Sequence, residues 1–566
     1  MILGLDVGGT HTDAVLIDGG KVLAQSKTLT NDDLLSTLQE AISSITDKAI
    51  CKEIDRMVFS TTITTNSIIQ NTLRPTGMII TAGPGMNPEL FTVGPSFHIV
   101  KGCIDHQGFE TDPIDADEIS AVANEISSEG IDTVGITGKF SVRNPTHEKD
   151  AAALTNDKFS NVFLGHKISG KLDFPRRIAT TYLNASLYYT QKAFVTSLNT
   201  ILRENNLNST AYVLKPDGGA WLLNQSLESP VMTAQSGPAA SVMGALALDK
   251  CDGVTLIMDI GGTTTDITLV KNGVPFIAFN GIEIGVYKTA IHSLLTNSVG
   301  VGGDSQLQLS EDKIITVGPL RLGAPIAFGG SAPTPTDAII SLGFLEAGDR
   351  KKAIESMKDM GNAIGLNCED TAHNILAATG KAIADAAKRF LFYINSKPIY
   401  TIYQALEEEI LIPSSAVIIG GPAPFLAPQI EKFLGIPCRV TPHYGVANAI
   451  GAATSRVTFE INLQADTERG TVIIPEIDFE TSIKHDFSIS DAEYLAKEKL
   501  LEAFTKMGGV GQPHITITER SIFPMIRGYS KIGQNIRLTA GITPGIIDTW
   551  NNKKIFKQDV HDAKSS

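Results

Sequence analysis

A chain of 566 residues with a formal charge of −14 holds two to four domains and opposes non-specific nucleic-acid binding, which depends on Lys and Arg. No apolar run approaches the roughly 20 residues of a membrane span, and Met1-Ile2-Leu3-Gly4-Leu5-Asp6 reads as a strand rather than a targeting segment. Cys51, Cys103, Cys251, Cys368 and Cys438 are scattered, odd in number and free of any CxxC pair, which argues against a disulfide framework, an iron–sulfur cluster or structural zinc and fits a reduced cytoplasm.

The chain opens on an apolar run, Ile2 to Leu5, then Asp6-Val7-Gly8-Gly9-Thr10-His11-Thr12-Asp13, then a second apolar run, Ala14 to Ile17. That grammar is a hairpin with a Gly-Gly turn. It recurs at Asp259-Ile260-Gly261-Gly262-Thr263-Thr264-Thr265-Asp266, between Thr255–Met258 and Ile267–Val270. Two matching copies mark an internal duplication. Glycines bring backbone N–H groups close to a phosphate, and the hydroxyls of Thr10, Thr12, Thr263 and Thr265 add donors. Asp6 and Asp259, at the ends of their strands, suit a magnesium ion held directly or through water. Facing each other across a cleft, the two hairpins would grip a nucleotide's phosphates from both sides. Asp13 and Asp266 either orient an attacking group or cap their own turns. His11 stands where the second copy has Thr264, as a loop histidine or as a donor to substrate.

Between the copies, Asp33–Lys48 places Leu34, Leu35, Leu38, Ala41, Ile42 and Ile45 on one helical face. Met57–Ser60 is a strand leading into the hydroxyl-rich turn Thr61–Ser67 and then a helix; Thr65 and Asn66 either cap that helix or offer donors to substrate. Met78–Thr81, a helix at Ile119–Ile126, the strand Thr133–Thr137 and a helix opened by Pro145 indicate an α/β domain ending near residue 165. A helix runs from Thr180 through Leu198, and Gln235–Ser241 opens a small-residue helix whose start suits either an anion or close packing.

Beyond the second hairpin, Ser298–Ser305 is a glycine loop bearing Asp304, with Gly302 and Gly303 as either a flexible turn or part of a site. Thr371–Ile394 is a helix. Ala416–Pro424 repeats the strand–Gly-Gly pattern, and Gly420 and Gly421 there suit a nucleotide's base and ribose edge. The helix following His443 should pack its small face back on the hairpins. From about residue 456 the texture turns polar and β-like, with a capped helix from Ser490 to about Lys506, strands at Ile515–Thr518 and Asn535–Leu538, and a charged tail after Trp550. The expected units are thus 1–165, 166–455 and an α+β region at 456–566.

On these residues, together with Asn144–Glu148 and Ser236–Ala240, the chain resembles the ATP-dependent hydantoinase/oxoprolinase family, A-subunit type, in the actin/sugar-kinase/Hsp70-like superfamily, over residues 1 to about 455. The resemblance implies an α/β fold of duplicated ribonuclease H-like domains with ATP and Mg²⁺ in the cleft between them. It also implies ATP-driven chemistry on a cyclic amide or a ketone, often with a separate B-type subunit in a homo- or hetero-oligomer. The sequence departs from the family pattern at Pro216-Asp217-Gly218-Gly219, at Asp304 and at Asn297–Gly300, and these changes bear on the particular substrate. A phosphate charge 4 Å from a carboxylate costs roughly 4 kcal/mol at an effective dielectric of 20, so Asp6 and Asp259 need the divalent ion. The expected activity is hydrolysis of a hydantoin, 5-oxoproline or lactam by phosphorylation of the amide oxygen. The alternatives are the ATP-binding subunit of a ketone carboxylase and an ATP-gated regulatory clamp.

Overall fold

The computed structural model describes residues 1–9, 11–31, 33–45, 53–205, 207, 209–278, 281–396, 410–547 and 550. Alternating apolar residues make the first hairpin: β1 (Ile2–Val7) pairs antiparallel with β2 (His11–Asp18), Asp6 opposite Asp13, and Gly8 N–H donates to His11 O at 3.0 Å to close the turn. β3 (Lys21–Leu29) continues the meander. On the far side of β1 lie β4 (Arg56–Thr61) and β5 (Thr210–Leu214), both parallel to it, then β6 (Ala220–Leu222), antiparallel to β5. The order is therefore β6-β5-β4-β1-β2-β3. Strands from both sides of residue 165 share this sheet.

The second hairpin seeds a sheet of the same plan. β7 (Val254–Ile260) pairs antiparallel with β8 (Thr265–Lys271), Asp259 opposite Asp266, and β8 with β9 (Val274–Pro275). β10 (Ser415–Ile419) and β11 (Cys438–Val440) run parallel to β7 on its other side. In each sheet the third strand of the meander is outermost, and the two parallel strands follow the first.

The helix α1 (Ile63–Ile69) begins directly after β4, so the expected hydroxyl-rich turn is itself helical. α2 (Phe174–Glu204) starts six residues before Thr180, because Asp173 caps it and Pro175 is tolerated in the first turn. Between β4 and α2 sits a four-stranded parallel sheet of Asn161–Leu164, Thr133–Gly138, Gly77–Thr81 and Ser96–Ile99. Its join to α2 is ionic. Glu148, fully buried, accepts from Gly138 N (2.7 Å) and His166 Nδ1 (2.6 Å), and Arg177, equally buried, donates to Ser141 Oγ and to the carbonyls of Gly138 and Lys139.

The two large sheets are held together by α3 (Ser236–Leu248) and α4 (Ala447–Thr454), whose buried residues share a core with Val15, Ile17, Ile257 and Val417. Each fully buried aliphatic side chain in such a core contributes about 1.5–3 kcal/mol. Where the helices cross, glycines bring backbone onto backbone. A Cβ on Gly244 would lie 2.0 Å from Ala447 O, one on Gly451 2.0 Å from Ala240 O, and one on Gly4 of β1 2.2 Å from Ala449 O. The expectation that the helix after His443 packs back on the hairpins holds, through Ala449 and Ala453 against Gly4.

The C-terminal region is a five-stranded antiparallel sheet with α5 (Ile489–Lys506) against it, sharing a core with the first large sheet. Its last two strands, Ile515–Arg527 and Ser530–Ile542, are far longer than the four-residue pieces read from sequence. One face of that hairpin is open to solvent, so polar and charged residues continue the strands. Residues 551–566, expected to be frayed, lie outside the described residues.

Candidate active site between the two sheets

β1 runs level with β4 and β7 with β10, and at the ends of these strands the carboxylates of both hairpins meet. Asp6 is 8% exposed, and its Oδ1 has no hydrogen-bond partner among the described residues. Burial pushes its pKa up to about 6; the Asp13 and Asp259 charges add to the rise, while hydrogen bonds from Ser60 and Asn448 oppose it. Asp259 accepts from Ser241 Oγ and from Asn448 Nδ2 at 3.2 Å. Asn448, on α4, therefore touches the lead carboxylates of both hairpins. Asp266 also rises to about 6, through loss of water first and the Asp259 charge second, against a hydrogen bond from Ser298. Asp13 is raised by burial but carries a counter-ion: Lys27 Nζ on β3 lies 2.8 Å away and also reaches Gly445 O at 3.3 Å.

The threonines divide. Thr10 lies outside the described residues. Thr12 and Thr265, expected as phosphate donors, are fully buried. Thr12 Oγ1 pairs with Thr30 Oγ1 at 3.0 Å, and Thr265 Oγ1 donates to Val301 O at 2.6 Å. Strand alternation is the reason: with Asp13 and Asp266 on the cleft face, the preceding residue points the other way. Thr263 remains partly exposed, and its hydroxyl accepts from Arg321 Nη1 at 3.2 Å.

The glycines also separate. Gly302 and Gly303 buttress the second hairpin turn rather than pointing free N–H groups at a ligand. Gly302 N–H donates to Ser305 Oγ (2.8 Å), Gly303 N–H donates to Gly261 O (3.0 Å), and a Cβ on Gly302 would stand 2.5 Å from Gly261 O. Asp304, next in the chain, reaches Thr336 Oγ1 and Arg321 Nη2. Gly420 has φ +95° and presses on the acidic site, its would-be Cβ 2.7 Å from Asp259 Oδ1. Gly421 is exposed with nothing within 4 Å of its would-be Cβ, and Gly9 is exposed near Asn66 Nδ2. Gly8 and Gly261 each donate across their own turn, to His11 O and Thr264 O. Gly262 lies against Asp304.

His11 is exposed and held below its ordinary pKa, by partial loss of water and then by the Lys27 charge, while Asp13, Asp304 and Arg321 act on it too. Groups of the first meander and of the segment beyond the second hairpin therefore act on it together. Thr65 has a structural partner, accepting from Gln235 N at 2.7 Å, and Asn66 Nδ2 donates to Thr62 Oγ1 at 3.3 Å beside the Gly9 turn. Of the two, Asn66 is the residue beside the first hairpin's turn.

Sequence reading missed Lys27, Arg321, Asn448 and Ser241. Only Asn448 and Ser241 had a signal, each a polar residue within a helix built mostly of apolar ones. Among the described residues no three His, Cys, Asp or Glu side chains are grouped to hold a metal on their own. Two carboxylates with one orphaned oxygen match Mg²⁺ instead, which keeps several waters and takes its other ligands from phosphate.

A mixed α/β chain with these paired loops has close structural counterparts. The crystal structure of ATP-dependent caprolactamase from Pseudomonas jessenii superposes with a TM-score of 0.70 at 19% identity, over 96% of this chain and 87% of that one. Nucleotide-free acetone carboxylase superposes with a TM-score of 0.68 at 16% identity, over 97% and 88%. The fold is the one these enzymes share. Residues 2–159 match the hydantoinase/oxoprolinase N-terminal region and residues 177–461 match hydantoinase/oxoprolinase, so the chain belongs to the hydantoinase/oxoprolinase family. In sequence it is 26% identical over 434 residues to caprolactamase subunit alpha of P. jessenii, covering 68% of this chain and 62% of that subunit. No described helix is long and apolar enough to cross a membrane.

Proposed function

We propose that this chain is the ATP-binding, A-type subunit of a hydrolase that opens a cyclic amide, such as a hydantoin, 5-oxoproline or a lactam, by phosphorylating the amide oxygen. The observation that carries the reading is the meeting of Asp6 and Asp259 from duplicated Gly-Gly hairpins, bridged by Asn448. In this reading the two sheets are a duplicated ribonuclease H-like pair of the actin and sugar-kinase kind, and the region from 456 is a separate α+β unit. The described cysteines are free, which suits a reducing cytoplasm.

An unstrained amide resists water because its nitrogen is a poor leaving group and its carbon a poor electrophile. Attack of the amide oxygen on the γ-phosphorus forms an O–P bond and expels ADP. Water then adds to the activated carbon, the C–N bond breaks as nitrogen takes a proton, and a second water converts the acyl phosphate to carboxylate and phosphate. The turns at Gly8–Gly9 and Gly261–Gly262 bring backbone to the phosphates, with Arg321 and Thr263 at one side. Lys27, oriented by Asp13, balances charge at the other. Bound Mg²⁺, held through Asp6 and Asp259, would neutralise phosphate charge. Asp266, with its pKa near 6, is matched to accept a proton at neutral pH. Asn66 and His11 border this space on the first hairpin's side, and Gly420 and Gly421 leave room for the nucleoside.

The caprolactamase relative is named as a subunit, and we assign this chain a B-type partner in the same way. The superposition on acetone carboxylase keeps a second reading open, the ATP-binding subunit of a ketone carboxylase, which bicarbonate dependence separates from the first. The test is phosphate release from Mg-ATP by the purified chain, alone and with a B-type subunit, against hydantoins, 5-oxoproline and lactams. Stimulation by one ring, lost in Asp259→Asn, is the expected result; absence of Mg-ATP binding refutes the reading.

A further inference from the structure

The C-terminal sheet ends in an arm. Its outermost strand, Ile515–Arg527, pairs with Ser530–Ile542, which in turn pairs with the strand Glu460–Asp466 only from Gly541 back to Asn535. Residues 524–533 therefore continue as a two-stranded ribbon with no third strand beside it among the described residues. Such a ribbon is marginal in water by itself and has no buried face for its apolar side chains. Phe523 is 50% exposed, Ile526 67% and Tyr529 completely, with Ile522 and Pro524 exposed beside them. Scattered exposed apolar residues are ordinary, but five within eight residues make a patch of the kind that marks an interface.

Charge sets what that patch can meet. The hairpin carries Arg520, Arg527, Lys531 and Arg537 against Glu519 alone, in a chain whose formal charge is −14. The opposite sign lies close by. Arg527 Nη2 meets Glu468 Oε1 at 2.7 Å, and the next residue, Arg469, donates to Gln107 O at 3.3 Å and lies 5.3 Å from the Phe109 ring centre. Residues 102–138 contain nine Asp and Glu and no Lys or Arg, and Glu110, next after Phe109, begins their densest part. There Asp115 caps the helix Ala116–Ser128 and Glu118 accepts from Lys101 N, while Asp112 and Asp117 stand exposed.

A basic, apolar arm beside an acidic face is self-complementary under a two-fold rotation, since each arm then meets the other copy's carboxylates. An anionic bilayer would attract the arm and repel the face next to it. Pro524 interrupts the N–H row of the edge strand, so a partner seats on side chains rather than adding a strand.

We propose that a second copy of this chain occupies this surface: in a two-fold dimer, Phe523, Ile526 and Tyr529 of each arm seat against the other copy's acidic face, with Arg527 and Lys531 opposite Asp112 and Asp117. The contact is made twice, and arm and acidic face together supply the roughly 20–30 residues a side of a standard interface.

Sedimentation of the full chain measures the association. The expected result is a concentration-dependent rise from 60.4 kDa toward twice that mass, with a Kd that weakens at high salt. Phe523→Ser with Tyr529→Ser raises that Kd at least tenfold and leaves the circular dichroism spectrum unchanged. Charge exchange is the decisive comparison. Arg527→Glu with Lys531→Glu, and separately Asp112→Lys with Asp117→Lys, each lose the dimer alone. An equimolar mixture of the two regains it, because both contacts of the mixed dimer then join opposite charges. A parent that stays at 60.4 kDa at every concentration, serine variants that dimerise as the parent does, or a mixture that stays monomeric overturns the proposal. If the parent is monomeric and the serine variants instead lose a B-type subunit, or lose flotation with phosphatidylserine vesicles, the surface belongs to that partner and the proposal falls.

Discussion

Replacing Asp6 by Asn should stabilise the nucleotide-free protein while removing its response to Mg-ATP. Asp6 titrates at about 6 in the folded chain against an ordinary 3.8, with burial the first cause. A rise of about 2 pH units corresponds to about 3 kcal/mol, at 1.36 kcal/mol each. The sign follows from proton counting. Between pH 3.8 and about 6 the folded state binds the proton and the unfolded state has lost it, so stability falls as pH rises through that window. Above about pH 6 both states are ionised and the cost is fully present. Asn escapes it but still leaves one polar atom where Oδ1 has no partner, a penalty of about 1–3 kcal/mol, so the net gain should be up to about 2 kcal/mol. At roughly 2–4 °C per kcal/mol for a unit of 150–250 residues, that is a few degrees in a thermal-shift assay at pH 8, shrinking toward zero or reversing at pH 4. Mg-ATP at 100 times its Kd should add about 2.7 kcal/mol to the parent protein and nothing to the variant. Equal destabilisation of Asp6→Asn at both pH values, or an intact Mg-ATP shift, would refute this account of the cleft.

Arg321→Met removes the cation that joins Thr263 to Asp304 and should raise the Kd for Mg-ATP about 10- to 100-fold, with the deficit narrowing at high salt; calorimetry at two ionic strengths checks it. Arg177→Leu leaves Glu148 buried beside His166 and should cost about 3–5 kcal/mol, read as loss of the folded protein on heating. The Glu148–His166 contact also sets a pH optimum. His166 is raised by Glu148 against its burial and Glu148 is lowered by His166 against its own. The stability from His166 is present below its ordinary 6.5 and lost as pH rises through its folded pKa; that from Glu148 is present above 4.5 and lost as pH falls through its folded pKa. A Glu148→Gln variant measured from pH 4 to 9 should lack the acid limb and show a weakened alkaline one, because Asp478 also faces His166.

The hairpins were legible because their signal is local: an apolar run, two glycines and a second apolar run fix strand, turn and strand within about 15 residues. Their duplication was legible for the same reason. The neighbours that complete the site lie elsewhere in the chain. Lys27 reaches Asp13 across a meander, Arg321 reaches Thr263 from 58 residues away, and Asn448 reaches Asp259 from 189 away. No period within one segment encodes such contacts. Thr12 and Thr265 were misread because hydroxyls were counted by composition, whereas the two-residue repeat of a strand sends them to the opposite face from Asp13 and Asp266. Gly302 and Gly303 look the same in sequence whether they hold a ligand or hold Gly261; only the packed loop distinguishes the two.

At the crossing of α3 and α4 the chain has little freedom to vary. Where Gly244 meets Ala447 and Gly451 meets Ala240, backbone lies on backbone, so that spot has no side chain to trim and no space to fill. A larger residue there would wedge the two sheets apart at the back and splay Asp6 from Asp259 at the front, as a spacer in a pair of tongs opens its tips. The spacing of Asp6 and Asp259 is therefore tied to the close backbone approach at those glycines.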